Sequence, residues 1–306
     1  MCQDLPMIRD IAFTLIDVGA SGGVQDRWDQ YTNMRFIGFE PDSRGRQELI
    51  ERGRETWFSI GVAGEPGVKS FHLTKTQCNS SLLKPNRELI SRLAYNLEDF
   101  EVTQNVDVNC DSLDNICQKH SICPQIVKLD TQGTEYEILN GSKSLLENHL
   151  MAAEIEVEFL PLYENQKLFA DVDTYMRSMG FQLMDLGNQL YVKGKQTQDF
   201  AERKGQLVSA DALYFRSIES FLSNKNQWGA ELKAFLPICK AYGLLGYAYE
   251  AAKALENQAV LKMIEAEKPQ NAWPQVSERK YAMIRHFFEK RIKSKNANWN
   301  YGLGNP

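Results

Sequence analysis

The sequence lacks the features of a membrane-spanning or exported protein. None of its 306 residues belongs to a run approaching the ~18 consecutive apolar residues that a bilayer span requires. The first residues, MCQDLPMIRD, contain no basic region followed by an apolar run, so they do not predict a secretory signal. We therefore expect no membrane span and a cytoplasmic location.

Basic residues are not in excess. The chain has 35 Lys and Arg residues against 40 Asp and Glu residues, which gives a formal net charge of -5. Proteins that bind nucleic acids usually carry a basic surplus or a basic stripe. The one basic cluster, residues 285–295, alternates with His and Phe residues and predicts a solvated helix face. We expect no nucleic-acid partner.

Few residues are spaced to form a metal site. Cys110, Cys117 and Cys123 are separated by six and five residues, with His120 between the last two. Structural zinc sites usually pair cysteines that are only about two to four residues apart. We favour free thiols in a reducing compartment and predict no metal.

What the sequence does have is the alternation of short apolar runs with amphipathic segments, such as 43–54 and 167–180. Strands that alternate with helices predict a doubly wound α/β fold with a mostly parallel sheet. Seven apolar runs are the expected strands of that sheet: 13–19, 35–40, 57–62, 125–130, 152–159, 181–186 and 211–216.

Two regions depart from the simple alternation. No helix is predicted between the last two strands, so residues 187–210 should form a long hairpin that makes one strand of the seven-stranded sheet antiparallel. Residues 64–110 are longer than a plain crossover and predict an insertion with a strand at 68–74 and a helix at 88–97.

Beyond residue 217 the pattern is wholly helical. We predict two domains, a sheet domain over 1–217 and an all-α C-terminal appendage over 218–306. The apolar stripes of its helices need a partner surface, so we expect them to dock on the sheet domain or on a second copy of the chain, as a homo-oligomer. Apolar residues recur at helical spacing in three segments of the appendage: 230–241, 244–255 and 277–292.

A glycine turn, DVGASGG at residues 17–23, follows the first strand. Ser21 stands where the dinucleotide motif G-x-G-x-x-G requires its second glycine, and no G-K-[ST] follows, which excludes a P-loop. The remaining pattern, acid-x-Gly-x-small-x-Gly, is typical of an S-adenosylmethionine turn. The acid would lie near the ammonium of the cofactor, and the glycines permit a close approach. The candidate residues of this turn are Asp17, Gly19, Ala20, Ser21 and Gly23.

An acidic residue, Glu40, ends the second strand. A carboxylate at this place can accept hydrogen bonds from both ribose hydroxyls, and Asp42 is the alternative candidate. The alternative without a cofactor is that Glu40 and Asp42 belong to the acidic turn of an ordinary doubly wound domain. The other candidates for cofactor binding are Pro41, Val62, Ala63 and Asp130.

Three carboxylates follow the fourth strand, in the segment VKLDTQGTEYEILNG at residues 127–141. Ligands of open α/β sheets bind beyond the carboxyl ends of the strands, so Asp130 should face the cleft. Glu135 lies in the first turn of the next helix. It is either a reactive acid or an acid that only complements the helix dipole.

This segment resembles the signature of FkbM-type methyltransferases, Lys-x-Asp-x-[Glu/Gln]-Gly-x-Glu-x-x-x-Leu-x-Gly. Residues 17–23, 39–41, 106–113 and 156–163 are similar to other motifs of the same family, so the resemblance covers roughly residues 12–217. Ser21 stands where Asn is common in the family, and Gln132 where Glu is common. The signature positions that match are Lys128, Asp130, Gln132, Gly133, Glu135, Leu139 and Gly141.

The resemblance implies a Rossmann-like class I methyltransferase fold. It also implies S-adenosylmethionine-dependent O-methylation of a hydroxyl on a sugar, glycan or related natural product. An alcohol acceptor benefits from a general base, for which Asp130, Glu135 and Glu156 are the candidates. His72 is a fourth candidate that we interpret as an ordinary strand residue. The acceptor wall should come from the insertion, the long hairpin or the C-terminal helices.

Two alternatives stay open. One is a binding module that holds cofactor or glycan on the methyltransferase fold without turnover, which the intact Asp130 and Glu135 disfavour. The other is a nicotinamide-dependent oxidoreductase, which the glycine spacing disfavours.

Overall fold

Strands and helices alternate along residues 7–46, 55–200 and 204–267, the parts of the chain that the computed structural model describes. The strands are β1 (Phe13–Val18), β2 (Met34–Phe39), β3 (Glu55–Phe58), β4 (Gly61–Val62), β5 (Gly67–Thr74), β6 (Val102–Asp111), β7 (Ile126–Leu129), β8 (Ala152–Glu158), β9 (Phe181–Val192) and β10 (Gln206–Arg216). The α-helices are α1 (Ser43–Arg46), α2 (Arg87–Arg92), α3 (Leu113–His120), α4 (Glu135–Asn140), α5 (Lys143–Asn148), α6 (Phe169–Ser178), α7 (Ile218–Ser223), α8 (Lys225–Glu231), α9 (Phe235–Ala241), α10 (Leu245–Ala254) and α11 (Gln258–Ala266).

Seven strands form the main sheet in the order β3-β2-β1-β7-β8-β10-β9. All neighbours are parallel except at β10, which runs antiparallel to both β8 and β9. The predicted doubly wound, mostly parallel sheet with one antiparallel strand is therefore confirmed. The strand order reverses between β1 and β7, and such a switch point opens a crevice at the carboxyl ends of the strands.

The predicted third strand, 57–62, is divided between two sheets. β3 pairs with β2 in the main sheet, whereas β4 pairs with β6 in a second sheet of order β4-β6-β5. The chain leaves the main sheet at Ser59 and Ile60, which belong to neither strand. The second sheet and α2 form the insertion, whose predicted helix at 88–97 ends earlier, at Arg92.

The connection from β1 to β2 contains no α-helix. It holds only a 3₁₀ turn, Asp26–Trp28. The sheet face above this connection is packed instead by the helices that follow β10. Trp28, which is buried, meets the ring of Tyr242 with centroids 5.7 Å apart.

Helices α7 to α11 share one hydrophobic cluster with β1, β2 and β7. Within it, the rings of Phe215 and Phe235 lie 5.0 Å apart in an edge arrangement, which is a favourable aromatic geometry. Arg216, also buried, lies over the ring of Trp228 at 4.1 Å and donates to the carbonyl of Leu150 at 2.8 Å. The Arg216 guanidinium, at the end of β10, therefore holds α8 in place through its contact with Trp228.

The opposite face of the sheet is covered by the crossover helices α3 to α6. Ile16, Val127 and Ile155 of the sheet are buried there against Ile138 and Met176 of the helices. Both faces of the main sheet are therefore shielded from water, as its almost wholly apolar strands require.

The chain divides into two compact units, Met1–Ile264 and Glu265–Pro306. The domain boundary at residue 217 stays a prediction. The predicted helix at 277–292, the basic cluster at 285–295 and the second half of the helix predicted at 43–54 lie outside the described residues. None of the helices in the described ranges combines the length and the apolar character needed to cross a lipid bilayer.

Candidate active site

A cleft of about 330 Å³ opens at the carboxyl ends of the central strands, within the size range of ligand pockets. The insertion forms one wall, and the β9–β10 hairpin contributes Leu190 and Ser209. No described residue of α7 to α11 lines it. The candidate residues in its lining are Gly19, Ser21, Glu40, Pro41, Asp42, Val62, Asp130 and Glu156. The candidates outside its lining are Asp17, Ala20, Gly23, Ala63 and Glu135.

The glycine turn joins the ends of three strands. Gly19 has a φ of +82°, and a Cβ at this position would lie 1.8 Å from the carbonyl oxygen of Asp130. Only glycine fits such a contact and such a backbone conformation. The N–H groups of Gly19 and Ala20 donate to the carbonyl of Phe39 at 3.0 and 3.2 Å, and Gly23 closes the turn by donating to Ala20 at 3.0 Å.

Glu40 and Asp42 have different surroundings. Glu40 directly follows β2 at the cleft, and its Oε1 accepts the N–H of Asp42 at 2.7 Å. The Asp42 carboxylate is held by Arg44, whose Nε lies 3.0 Å and whose Nη2 lies 2.6 Å from Oδ2. Arg44 also donates to the carbonyl of Thr74 in the insertion at 2.9 Å. Asp42 therefore anchors the insertion to β2, which leaves Glu40 as the better candidate for a ribose ligand.

A row of charged side chains crosses the sheet beside the cleft. Lys128 Nζ lies 3.6 Å from Asp17 Oδ1 and 3.4 Å from Asp130 Oδ2. Burial raises the pKa of Asp17 to about 6, although Lys128 opposes the shift. Burial also opposes ionisation of Asp130, but Lys128 and hydrogen bonds from Glu156 and Gln132 lower its pKa. Asp130 is therefore the ionised member of the site.

Glu154, the neighbour of Lys128 on β8, extends this row to the C-terminal helices. Its Oε2 accepts hydrogen bonds from Arg27 Nη1 at 2.9 Å and from the Tyr242 hydroxyl at 2.6 Å. The guanidinium of Arg27 lies over the Tyr242 ring at 4.8 Å from its centroid. The residue after α9 thus reaches the charged row that borders the cleft.

Glu135 does not face the cleft, contrary to expectation. It is buried, and its Oε1 accepts hydrogen bonds from the N–H of Thr131 at 2.7 Å and from the Thr131 hydroxyl at 2.8 Å. Its Oε2 accepts the N–H of Gly133 at 3.0 Å. The start of α4 folds back under the exit of β7, so this carboxylate binds the turn between them. Burial raises its pKa, and the hydrogen bonds of the turn oppose the shift.

Gln132 links two carboxylates. Its Nε2 lies 3.1 Å from Asp130 Oδ1 and 2.7 Å from Glu156 Oε2, and its Oε1 lies 3.1 Å from the Tyr163 hydroxyl. An amide can donate to both acids, whereas an ionised glutamate would add a third negative charge. This gives a physical reason for Gln at a position where Glu is common in the resembling family.

Two residues that the sequence reasoning missed complete this end of the cleft. Glu158 lies two positions after Glu156 on β8, and both line the cleft. Burial and neighbouring carboxylates raise the pKa of both well above the usual range. Tyr95 of the insertion is close enough that burial, Glu156 and Glu158 raise its pKa to about 12. Glu158 could have been found from the sequence, because side chains two positions apart on a strand lie on the same face and Glu156 was already a candidate.

Residues 17–183, more than half of the chain, match the family described as the methyltransferase FkbM domain. The chain belongs to the FkbM methyltransferase family. Comparison with curated proteins gives no match.

Solved methyltransferases are similar to this FkbM-family chain at low identity. One is the methyltransferase FkbM from Methylobacillus flagellatus KT, with 15% identity, a TM-score of 0.38, and coverage of 67% of this chain and 43% of that one. A second is magnesium protoporphyrin IX methyltransferase from Synechocystis PCC 6803 with bound SAM, with 12% identity, a TM-score of 0.33, and coverage of 70% and 72%. The chain thus spans less than half the length of the Methylobacillus protein.

Other candidate side chains of this FkbM-family chain lie away from the cleft. His72 is buried on β5 with its Nδ1 2.6 Å from Asn105 Oδ1. Cys110 and Cys117 are buried free thiols, whereas Cys123 is exposed. Within the described ranges, no three His, Cys, Asp or Glu side chains are grouped as a metal site.

Proposed function

We propose that this chain is an S-adenosylmethionine-dependent O-methyltransferase, whose acceptor is a hydroxyl of a sugar, glycan or related natural product. One observation carries the proposal. In a chain of the FkbM family, the cleft at the strand ends combines Glu40 at the end of β2 with the Asp130–Glu156 pair at the ends of β7 and β8.

The residues of the cleft fit S-adenosylmethionine. The Glu40 carboxylate suits the two adjacent ribose hydroxyls, and the apolar lining by Phe39 and Val62 suits the adenine ring. Gly19 and Ser21 give the ligand close access to the backbone. When bound, the cofactor would supply a sulfonium methyl group, which would pass to the acceptor oxygen as its carbon–sulfur bond breaks and S-adenosylhomocysteine leaves.

Glu156 is the proposed general base. Its carboxylate takes the proton of the acceptor hydroxyl as the new oxygen–carbon bond forms, and it returns that proton to water. Because burial raises its pKa, Glu156 is a stronger base than an exposed carboxylate, and it acts only at a pH where it has lost its own proton.

The other two candidate acids have supporting roles in this proposal. Asp130 stays ionised and, through Gln132, holds Glu156 in place. Glu135 positions the turn that carries Gln132 and does not touch the acceptor. Asp130 also borders the cofactor, so its loss should affect binding and turnover together.

Calorimetry with S-adenosylhomocysteine, S-adenosylmethionine and NAD tests the proposal. We expect both sulfur compounds to bind and NAD not to bind. Binding of NAD alone would contradict the proposal and support the oxidoreductase alternative. Binding of S-adenosylmethionine without turnover on any hydroxyl compound would favour the non-catalytic binding module.

A further inference from the structure

We propose that the acceptor is an uncharged polyhydroxyl compound, such as a neutral sugar unit, and that the cleft rejects acceptors with a phosphate, sulfate or carboxylate beside the reacting hydroxyl. This inference rests on the proposed function and specifies its substrate class.

The first argument is the charge of the cleft. None of the described residues that line it is Lys, Arg or His. Two cations next to it are engaged, since Arg44 binds Asp42 and Lys128 lies between Asp17 and Asp130. At a pH where Glu156 has lost its proton, an anionic acceptor would meet like charges in a partly desolvated site, and none of the described residues in its lining is a cation that could pair with it. The acidic lining residues are Glu40, Asp42, Asp130, Glu156 and Glu158.

The second argument is the arrangement of hydrogen-bonding groups on three adjacent strands. Glu156 and Glu158 point to the same face of β8, because side chains alternate along a strand. Ser209 of β10 is directly paired with Glu158, and Leu190 of β9 is paired with Ser209. All four line the cleft. Two carboxyl groups one pleat apart, beside a hydroxyl, suit a ligand that offers several neighbouring O–H donors.

The third argument is the aromatic wall contributed by the insertion. The rings of Tyr95 and Phe100 line the cleft with centroids 5.4 Å apart. Because the Tyr95 pKa is raised to about 12, its hydroxyl stays neutral and can donate a hydrogen bond. Aromatic rings facing carboxyl groups match a sugar unit, which has apolar C–H faces and a polar rim of hydroxyls. Glu158 would then hold the hydroxyl next to the one that Glu156 deprotonates.

The reactivity of the Cys78 thiol with charged reagents measures the electrostatic potential of the cleft, and no acceptor is needed. It is exposed and lines the cleft, whereas Cys123 is exposed outside it and serves as the internal control. The protein is treated with two methanethiosulfonates of similar size, one carrying a trimethylammonium group and one carrying a sulfonate. Peptide mass spectrometry then gives the labelling rate at each cysteine.

With labelling done above the raised pKa of Glu156 and Glu158, we expect the ratio of cationic to anionic labelling rates to be at least about tenfold higher at Cys78 than at Cys123. At a pH above the raised pKa of Glu156 and Glu158, where both carry charge, the double variant Glu156→Gln/Glu158→Gln should lower the ratio at Cys78 toward the ratio at Cys123. Equal ratios in the wild type, or faster labelling of Cys78 by the sulfonate, would overturn the inference. A variant that keeps the full wild-type ratio would also overturn it, since these two acids carry the argument.

Acceptor selectivity separates this inference from the proposed function. Methyl transfer is measured on neutral methyl glycosides and on the matching glycoside phosphates and uronides. We expect neutral acceptors to be favoured by about a hundredfold or more. Transfer confined to the acidic acceptors would overturn the inference and leave the methyltransferase proposal standing. The predicted thiol ratio in a protein that fails to bind S-adenosylhomocysteine would contradict the proposed function alone.

Discussion

The variant Glu135→Gln tests whether this carboxylate holds the turn after β7 or takes part in the chemistry. Its two oxygens face three donors, the N–H and hydroxyl of Thr131 at 2.7 and 2.8 Å and the N–H of Gly133 at 3.0 Å. An amide puts an NH₂ group, itself a donor, against some of them. Losing one charge-assisted bond costs about 1.5–3 kcal/mol, and an unsatisfied buried donor adds about 1–3 kcal/mol. We expect the free energy of unfolding to fall by about 2.5–6 kcal/mol.

Glu156→Gln is the matched control variant. In the wild type, Gln132 Nε2 lies 2.7 Å from Glu156 Oε2. The amide oxygen of the variant can still accept this hydrogen bond, and its NH₂ group can donate to Asp130. Burial disfavours the charge of Glu156, so a neutral side chain should not lower the free energy of unfolding. Turnover should fall by about 10²- to 10⁴-fold, the contribution of a general base.

Urea unfolding, calorimetry with S-adenosylhomocysteine and turnover at about pH 5 to 9 are measured on both variants. The raised pKa of Glu156 predicts that wild-type turnover rises with pH as this group loses its proton, and that the residual turnover of Glu156→Gln lacks the rise. Glu135→Gln should keep the wild-type pH profile. Wild-type stability of Glu135→Gln, together with lost turnover, would refute the turn role and identify Glu135 as the base.

Three further changes test other parts of the structure. Glu40→Ala should weaken S-adenosylhomocysteine binding by roughly 2–4 kcal/mol in calorimetry, because a charged hydrogen-bond partner is lost; an unchanged affinity would remove the ribose assignment. The raised pKa of Asp17 means that its stabilising contribution is complete below pH 3.8 and is lost as the pH rises through about 6. The unfolding free energy of Asp17→Asn relative to wild type should therefore increase over that interval in pH-dependent urea melts, and a constant difference would contradict the shift. Tyr242→Phe removes the 2.6 Å hydrogen bond to Glu154 and should lower the unfolding free energy by about 1–3 kcal/mol with little change in turnover; equal urea midpoints would show that this bond contributes nothing.

The strands that lie in the middle of the main sheet could be predicted from sequence. The apolar runs place β1, β2, β7 and β8 to within one residue at each end, because parallel strands are buried on both faces and are apolar throughout. The same uniformity hides the break within 57–62. No local signal marks the two residues where the chain leaves one sheet for another.

The candidate site was predictable where topology alone decides it. Glu40, Asp130 and Glu156 lie at carboxyl ends of strands, so the general rule for open sheets brings them to one cleft. The direction of Glu135 depends on the turn at residues 131–133, which sequence spacing does not specify. Tyr95 reaches the acids only through the fold of the insertion, so nothing local to it predicts that contact.

The most direct measurement is methyl transfer from S-adenosylmethionine to neutral methyl glycosides by wild-type protein and by Glu156→Gln. The wild type should form S-adenosylhomocysteine and an O-methylated glycoside in equal amounts. Glu156→Gln should form at least about a hundredfold less of both, while it binds S-adenosylhomocysteine as tightly as the wild type. Wild-type turnover in Glu156→Gln, or S-adenosylhomocysteine formed by the wild type without a methylated hydroxyl, would contradict the proposed function and its base.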